Sequence, residues 1–195
     1  MKKLKAVFLI ALGLLVTSCT TTKNQPKLHK VYVTNKKKLS LLPPANASEV
    51  VDALQVLNIT YEDSTYSLLS YTQVDATGIS LSLMNAFGAD MGNLFYDGNQ
   101  VSFESAYFPP EFLGEYIVEE IQNAYYDTEA LKKNYASAKL DFSVLQNLQD
   151  AQGNNYENRA VLDGEVLIED IKKTENKVII SNYIRGYYIE LINAE

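Results

Sequence analysis

The 195-residue sequence predicts a mainly β fold, with about ten antiparallel strands interrupted once by two helices. Three observations lead there. From Val50 the apolar residues recur mostly at every second position, cleanly so at Ile79, Leu81 and Leu83 with Ser80 and Ser82 between them, the pattern of a half-buried strand. Tight-turn pairs, Asp97-Gly98 and Asp163-Gly164, fall between such runs, as hairpins require. One stretch alone, behind Pro109-Pro110, changes to helical spacing.

In order, strands are expected over about 51–62, 65–74, 78–86, 92–97 and 100–106. Asp75-Ala76-Thr77-Gly78 breaks the second from the third. Phe112, Leu113, Tyr116, Ile117, Ile121 and Ala124 then mark 111–126 as an amphipathic helix with Pro110 at its start. Thr128-Glu129 opens a second helix to about Tyr135, with Thr128 as its N-cap. Strands return at about 139–146, 156–162, 165–171, 177–184 and 187–193, with Arg185-Gly186 turning the last pair. Sequential strands joined by short turns are antiparallel neighbours, and so many curl into a sandwich or a barrel. The helices have an apolar face that fits against the concave side of that sheet.

The N-terminus reads differently. Met1-Lys2-Lys3-Leu4-Lys5 is cationic, and the apolar run Ala6–Val16 is shorter than the roughly 20 residues that span a bilayer, so residues 1–18 fit a secretory signal. Val16-Thr17-Ser18-Cys19 resembles the bacterial lipobox, in which the cysteine exposed by cleavage is acylated. Cys19 is the sole cysteine, so no internal disulfide forms. Residues 19–48 read as a lipidated basic tether, with six lysines after Cys19 and no acid, suited to anionic head groups. A flexible chain of that length reaches on the order of 30 Å. The patch Leu28–Val33 is apolar enough to dock part of it on the body. Residues 49–195 form the folded domain and carry all 24 acids with eight bases, a balance of −16. That charge argues against a nucleic-acid partner.

The catalytic inventory is thin. The single histidine, His29, lies in the tether. Gly78-Ile79-Ser80-Leu81-Ser82 begins like a nucleophile elbow but lacks the closing glycine and the following helix. There is no phosphate-binding loop and no metal spacing of Cys and His, so neither a cofactor nor a metal is expected. Glu111, Glu115 and Glu119 share one helix face, read as solvated. Asp97, Asp127 and Asp163 read as turn or loop residues. The 14 tyrosines, against no tryptophan, suit the rim of an apolar cavity. Ordinary packing explains most of them as well.

Three stretches carry a family resemblance: Leu81-Ser82-Leu83-Met84-Asn85-Ala86-Phe87-Gly88, Leu94-Phe95-Tyr96-Asp97-Gly98-Asn99-Gln100-Val101, and Asn182-Tyr183-Ile184-Arg185-Gly186-Tyr187-Tyr188-Ile189-Glu190-Leu191. With strands, helices and strands in that order behind a lipobox, the body resembles the LolA/LolB superfamily of lipoprotein carriers and receptors. More closely, it resembles an uncharacterised family of bacterial lipoproteins found with fatty-acid-like and aryl-polyene biosynthesis genes. The resemblance implies an unclosed antiparallel β-barrel with two central helices as its lid. It also implies a cavity for an acyl or polyene chain, lined by Ile79, Leu81, Leu83, Leu94, Phe103, Leu113, Ile117, Ile121, Ile180 and Ile189. Asp75–Gly78 is too short and polar for the protruding loop of a LolB-like receptor, so a carrier or accessory is expected.

The expected function is therefore non-enzymatic: a protein lipid-anchored at Cys19 on the periplasmic face of the outer membrane that binds a hydrophobic chain and assists lipid or lipoprotein placement. Thr20, where an inner-membrane retention signal would have Asp, favours the outer membrane. An envelope scaffold with a filled core, working through protein partners, is the alternative. An esterase would need a Ser/His pair that the body lacks.

Overall fold

The computed structural model describes residues 29–108 and 113–194. The proposed signal and Cys19 lie outside these residues, as do Pro110 and Glu111. Strands β3 (Val51–Tyr61), β4 (Ser64–Val74), β5 (Ile79–Met84), β6 (Asp90–Tyr96) and β7 (Val101–Glu104) form one meander. Helices α1 (Gly114–Tyr125) and α2 (Thr128–Ser137) follow. A second meander holds β8 (Asp141–Gln149), β9 (Asn155–Asp163), β10 (Val166–Lys173), β11 (Lys177–Asn182) and β12 (Tyr187–Asn193). Each predicted strand is present to within a few residues.

The two meanders join because β12 pairs with β3, giving one ten-stranded antiparallel sheet in the order β7-β6-β5-β4-β3-β12-β11-β10-β9-β8. It is a single open sheet, neither a two-sheet sandwich nor a closed barrel, and β7 and β8 are its edges. The two helices therefore carry the chain from one edge to the other. Laid flat, β7 and β10 would be seven strand spacings apart, or about 34 Å at roughly 4.8 Å each. Yet α1 touches both, and a helix is only about 10–12 Å wide. The sheet must curl around it.

Alternation decides what faces the helix. Leu57 and Ile59 of β3, Ile79, Leu81 and Leu83 of β5, Leu94 and Tyr96 of β6, and Val178 and Ile180 of β11 are buried. Ser80 and Ser82 fall on the outer side, so the serines of the elbow-like sequence point away from α1. α1 begins at Gly114 behind an uncapped Leu113. For α2 the cap is Asp127 rather than Thr128: its Oδ1 accepts from Ala130 N at 2.8 Å. The carboxylate one residue earlier reaches the free amides of the first turn, as an N-cap must.

The basic stretch docks over more of its length than the patch Leu28–Val33. From His29 onward it is no free tether. A short hairpin, β1 (Lys30–Tyr32) with β2 (Lys38–Ser40), buries Val31, Val33, Leu39 and Leu41 at 0–3% exposure. This strap lies on the helices. The Gln122 side chain of α1 grips Leu42 from both sides, accepting from its N at 2.9 Å and donating to its O at 2.8 Å. Lys37 Nζ donates to Asp163 Oδ1 and Lys139 O, both at 2.6 Å. Asp127 N donates to Asn46 O at 2.8 Å. Apolar residues at every second position in a lysine-rich run drive this docking, because burying them outweighs the cost of ordering the segment.

Two glycines are set by close approach. Gly98, in the turn between β6 and β7, has φ +94° and would put a Cβ 2.8 Å from Pro44 Cδ of the strap. Gly114 admits β7: a Cβ there would lie 2.7 Å from Phe103 Cβ and 3.0 Å from Val101 Cγ1. Alanine gains about 1 kcal/mol in helix propensity, but overpacking costs about 1–3 kcal/mol. Gly114→Ala should lower the urea midpoint, and an unchanged or raised midpoint would contradict the contact. Leu41→Ala should cost about 2–5 kcal/mol as a buried deletion; a free tether would lose nothing in the same titration.

Candidate functional site

Between α1 and the sheet lies a void of about 60 Å³. Strand register builds its floor. Ile171, Ile180, Ile189 and Ile59 are consecutive cross-strand partners over β10, β11, β12 and β3. The next inward row pairs Val178, Leu191, Leu57 and Leu68. Ile117 and Ile121 of α1 face these rows.

Six of the ten residues proposed for a cavity line this void: Leu81, Leu83, Ile117, Ile121, Ile180 and Ile189. Ile79 and Leu94 are buried away from it. Leu94 and Phe103 instead pack on Gly114, and Leu113 is 45% exposed. Leu57, Ile59 and Leu191 were legible as inward strand positions but were not among the ten. Tyrosines do border the void, namely Tyr116, Tyr125 and Tyr187. Of the pair at 187–188, one ring is buried and the other is 40% exposed, as alternation in a strand demands.

One end of the void is polar, and this was not read from the sequence. The inward row one step from the isoleucines is Glu169, Asn182 and Tyr187, again direct partners across β10, β11 and β12. Above them α1 supplies Glu119, Glu120 and Asn123, all at most 4% exposed. Arg185 enters from the last hairpin turn. Its guanidinium donates to Glu119 Oε2 at 2.9 Å and to Glu120 Oε1 at 3.5 Å. It lies 3.9 Å from the Tyr116 ring centroid and donates to Tyr32 O of the strap at 2.5 Å. Asn182 Nδ2 bridges Glu120 Oε1 and Glu169 Oε2 at 3.2 and 3.1 Å, and Asn123 Nδ2 donates to Glu169 Oε1 at 2.9 Å. Tyr187 donates its phenol proton to Glu120 Oε1.

Glu119 thus corrects the reading of a solvated face. Glu115 remains half-exposed, 3.8 Å from His29 Nδ1, while Glu119 and Glu120 point inward. The sequence held the signal: Glu120 stands four residues after Tyr116 and three after Ile117, on the apolar stripe itself.

Three buried carboxyls face one guanidinium, so they cannot all be ionised at low cost. Burial raises the Glu119 carboxyl to about 7, with Glu120 adding repulsion and Arg185 opposing both. Burial also holds Glu169 well above the usual carboxylate range, reinforced by repulsion from Glu120 and Glu119 and by hydrogen bonding to Glu120. Burial pulls Arg185 down, but the combined attraction of Glu119, Tyr187 and Glu120 holds it above its ordinary value. The hydrogen bonds agree. Tyr135 Oη is 3.1 Å from Glu119 Oε1 and 2.9 Å from Asn123 Oδ1. One phenol proton serves only one acceptor, so Glu119 and Asn123 compete for it and the Glu119 carboxylate is left short of a donor.

At the far end of α1, Arg159 Nη1 donates to the carbonyls of Asn123 and Tyr126, both at 3.0 Å, a cation at a helix C-terminus. Among the described residues no group of three His, Cys, Asp or Glu is placed to hold a metal ion, and no helix is long and apolar enough to cross a membrane.

The raised carboxyls set a pH dependence. Their folded affinities for protons exceed the unfolded ones, so the folded state binds more protons between about pH 4.5 and 7, and higher for Glu169. Stability therefore falls as pH rises through that window. The melting temperature should be higher at pH 5.5 than at pH 8, and Glu169→Gln should narrow the difference. A melting temperature that rises from pH 5.5 to 8 would refute this.

A family profile described as "Protein of unknown function (DUF3261)" matches residues 52–194, most of the chain, so the chain belongs to that family. The match takes in both meanders and both helices. No curated protein matches the chain.

Proposed function

We propose that this member of the DUF3261 family is a non-enzymatic lipoprotein, anchored by Cys19 at the periplasmic face of the outer membrane, that holds an acyl or polyene chain between α1 and a LolA/LolB-like unclosed barrel. Such a protein assists the transport or placement of a lipid or lipoprotein. The observation that carries this reading is the void beneath α1, lined mainly by aliphatic and aromatic side chains. An alkyl chain needs only such a lining. At about 60 Å³ the space holds a few methylenes as it stands, so chain binding requires α1 to yield outward from the sheet. The same small volume favours a second reading, an envelope scaffold with a filled core.

One titration separates them. The full chain should bind diphenylhexatriene, an uncharged polyene, and a monoacylglycerol with one site at tens of micromolar. Ile180→Trp, which fills the void, should weaken both at least tenfold. Absence of binding by fluorescence and native mass spectrometry would leave the scaffold. Anchoring is tested apart from binding. Cys19→Ser should abolish palmitate labelling and membrane association, and Thr20→Asp should move the protein to the inner-membrane fraction. Unchanged labelling in Cys19→Ser would remove the anchor from the proposal.

A further inference from the structure

The void is apolar along its length, and its polar groups fall at two opposite ends, since the Ile59 and Leu57 rows separate Gln55 from Tyr187. At one end Thr72 donates to Gln55 Oε1 at 3.2 Å. At the other the Tyr187 phenol donates to Glu120. Among the described residues Glu120 is the one acid that lines the void. It is 4% exposed, and its two oxygens are treated very differently. Oε1 collects Tyr187, Asn182 and Arg185. Oε2, fully buried, receives no hydrogen bond from an amide, hydroxyl or guanidinium among the described residues. A buried acceptor left empty is costly when three donors crowd its neighbour.

Charge narrows what can fill it. Glu119 and Glu120 share a single guanidinium, while Glu169 beside them is held by the amides of Asn123 and Asn182 and by hydrogen bonding to Glu120. A carboxylate brought to this end would be a fourth acid in a low-dielectric pocket, repelled by those present. A group with protons to give would complete Oε2, and a cationic one would also balance the excess of acid.

We propose that the cavity selects hydrophobic chains whose terminal group donates a hydrogen bond, an ammonium, a hydroxyl or an amide N–H seated on Glu120 Oε2, and that it rejects free fatty acids. This rests on the chain-binding reading above and adds the polarity of the head group to it. Glu120 is then the specificity residue, and the apolar rows supply affinity without choosing among chains.

Decylamine, 1-decanol and decanoate share one chain and differ only in the head. Each would be titrated against bound diphenylhexatriene on the full chain at about pH 7, where the amine is protonated and the acid ionised. The amine and the alcohol should displace the probe at concentrations at least tenfold below decanoate. Glu120→Gln, which keeps the shape and removes the charge, should shrink the amine-to-decanoate ratio at least tenfold, each displacement being scaled to the affinity of the variant itself for diphenylhexatriene. Equal displacement by all three, or a preference for decanoate, overturns the head-group selection and leaves chain binding standing. A ratio unchanged in Glu120→Gln overturns the role of that residue. Failure of diphenylhexatriene itself to bind removes both proposals.

Discussion

Arg185 ties together parts of the chain that are far apart in sequence. From the turn between β11 and β12 it reaches the two adjacent glutamates of α1, the carbonyl of Tyr32 in the strap and the face of Tyr116. Sheet, helix and strap therefore meet on one guanidinium. Its five donors in a fixed fork suit it to serve several acceptors at once, which a lysine could not match. Without this cation, the inward glutamates would be buried charges with no counterion, among the costliest groups a core can hold. The position of α1 inside the curl of the sheet depends on that balance.

The interface beneath α1 is consequently divided. Where strand register places Glu169, Asn182 and Tyr187 in a row, the helix is held by directional hydrogen bonds. Where it places isoleucines and leucines, the helix rests on non-directional contacts. Hydrogen bonds fix geometry, whereas apolar contacts tolerate a change of partner provided water stays out. The helix is thus pinned by directed bonds at its polar end and rests on shape alone over its apolar length. The strap adds a second layer outside the helices, clamped by Gln122 and Lys37.

The strands were legible because alternation is a local property. Ile79–Leu83 announces its buried face within five residues, and Asp97-Gly98 and Asp163-Gly164 announce their turns within two. Harder to read was anything decided by a distant neighbour. The lysines of 30–38 suggested solvent and an anionic surface, yet Val31 and Leu39 between them are buried against helices some 80–100 positions away. Glu119 matched a solvated face by spacing with Glu111 and Glu115, because one-dimensional periodicity does not contain Arg185, Tyr135 or Glu169. Ile79, Leu94 and Phe103, three of the ten residues proposed for the cavity, face other packing for a similar reason: inward alternation says that a side chain is buried, not what it is buried against.

By itself the sequence determined the kind of protein this is: strands in two meanders about a helical pair, an acidic body behind a basic N-terminal stretch, and a thin set of catalytic groups. These follow from periodicity, turn chemistry and composition, which need no knowledge of the third dimension. The tertiary structure alone decided that β12 closes against β3, so that one open sheet results and the helices must cross from edge to edge. It alone brought three carboxyls and one guanidinium to the end of an apolar void. Such groups gather because strand register and helix docking are set by the summed burial of many side chains, and the few polar residues carried inward must then satisfy one another.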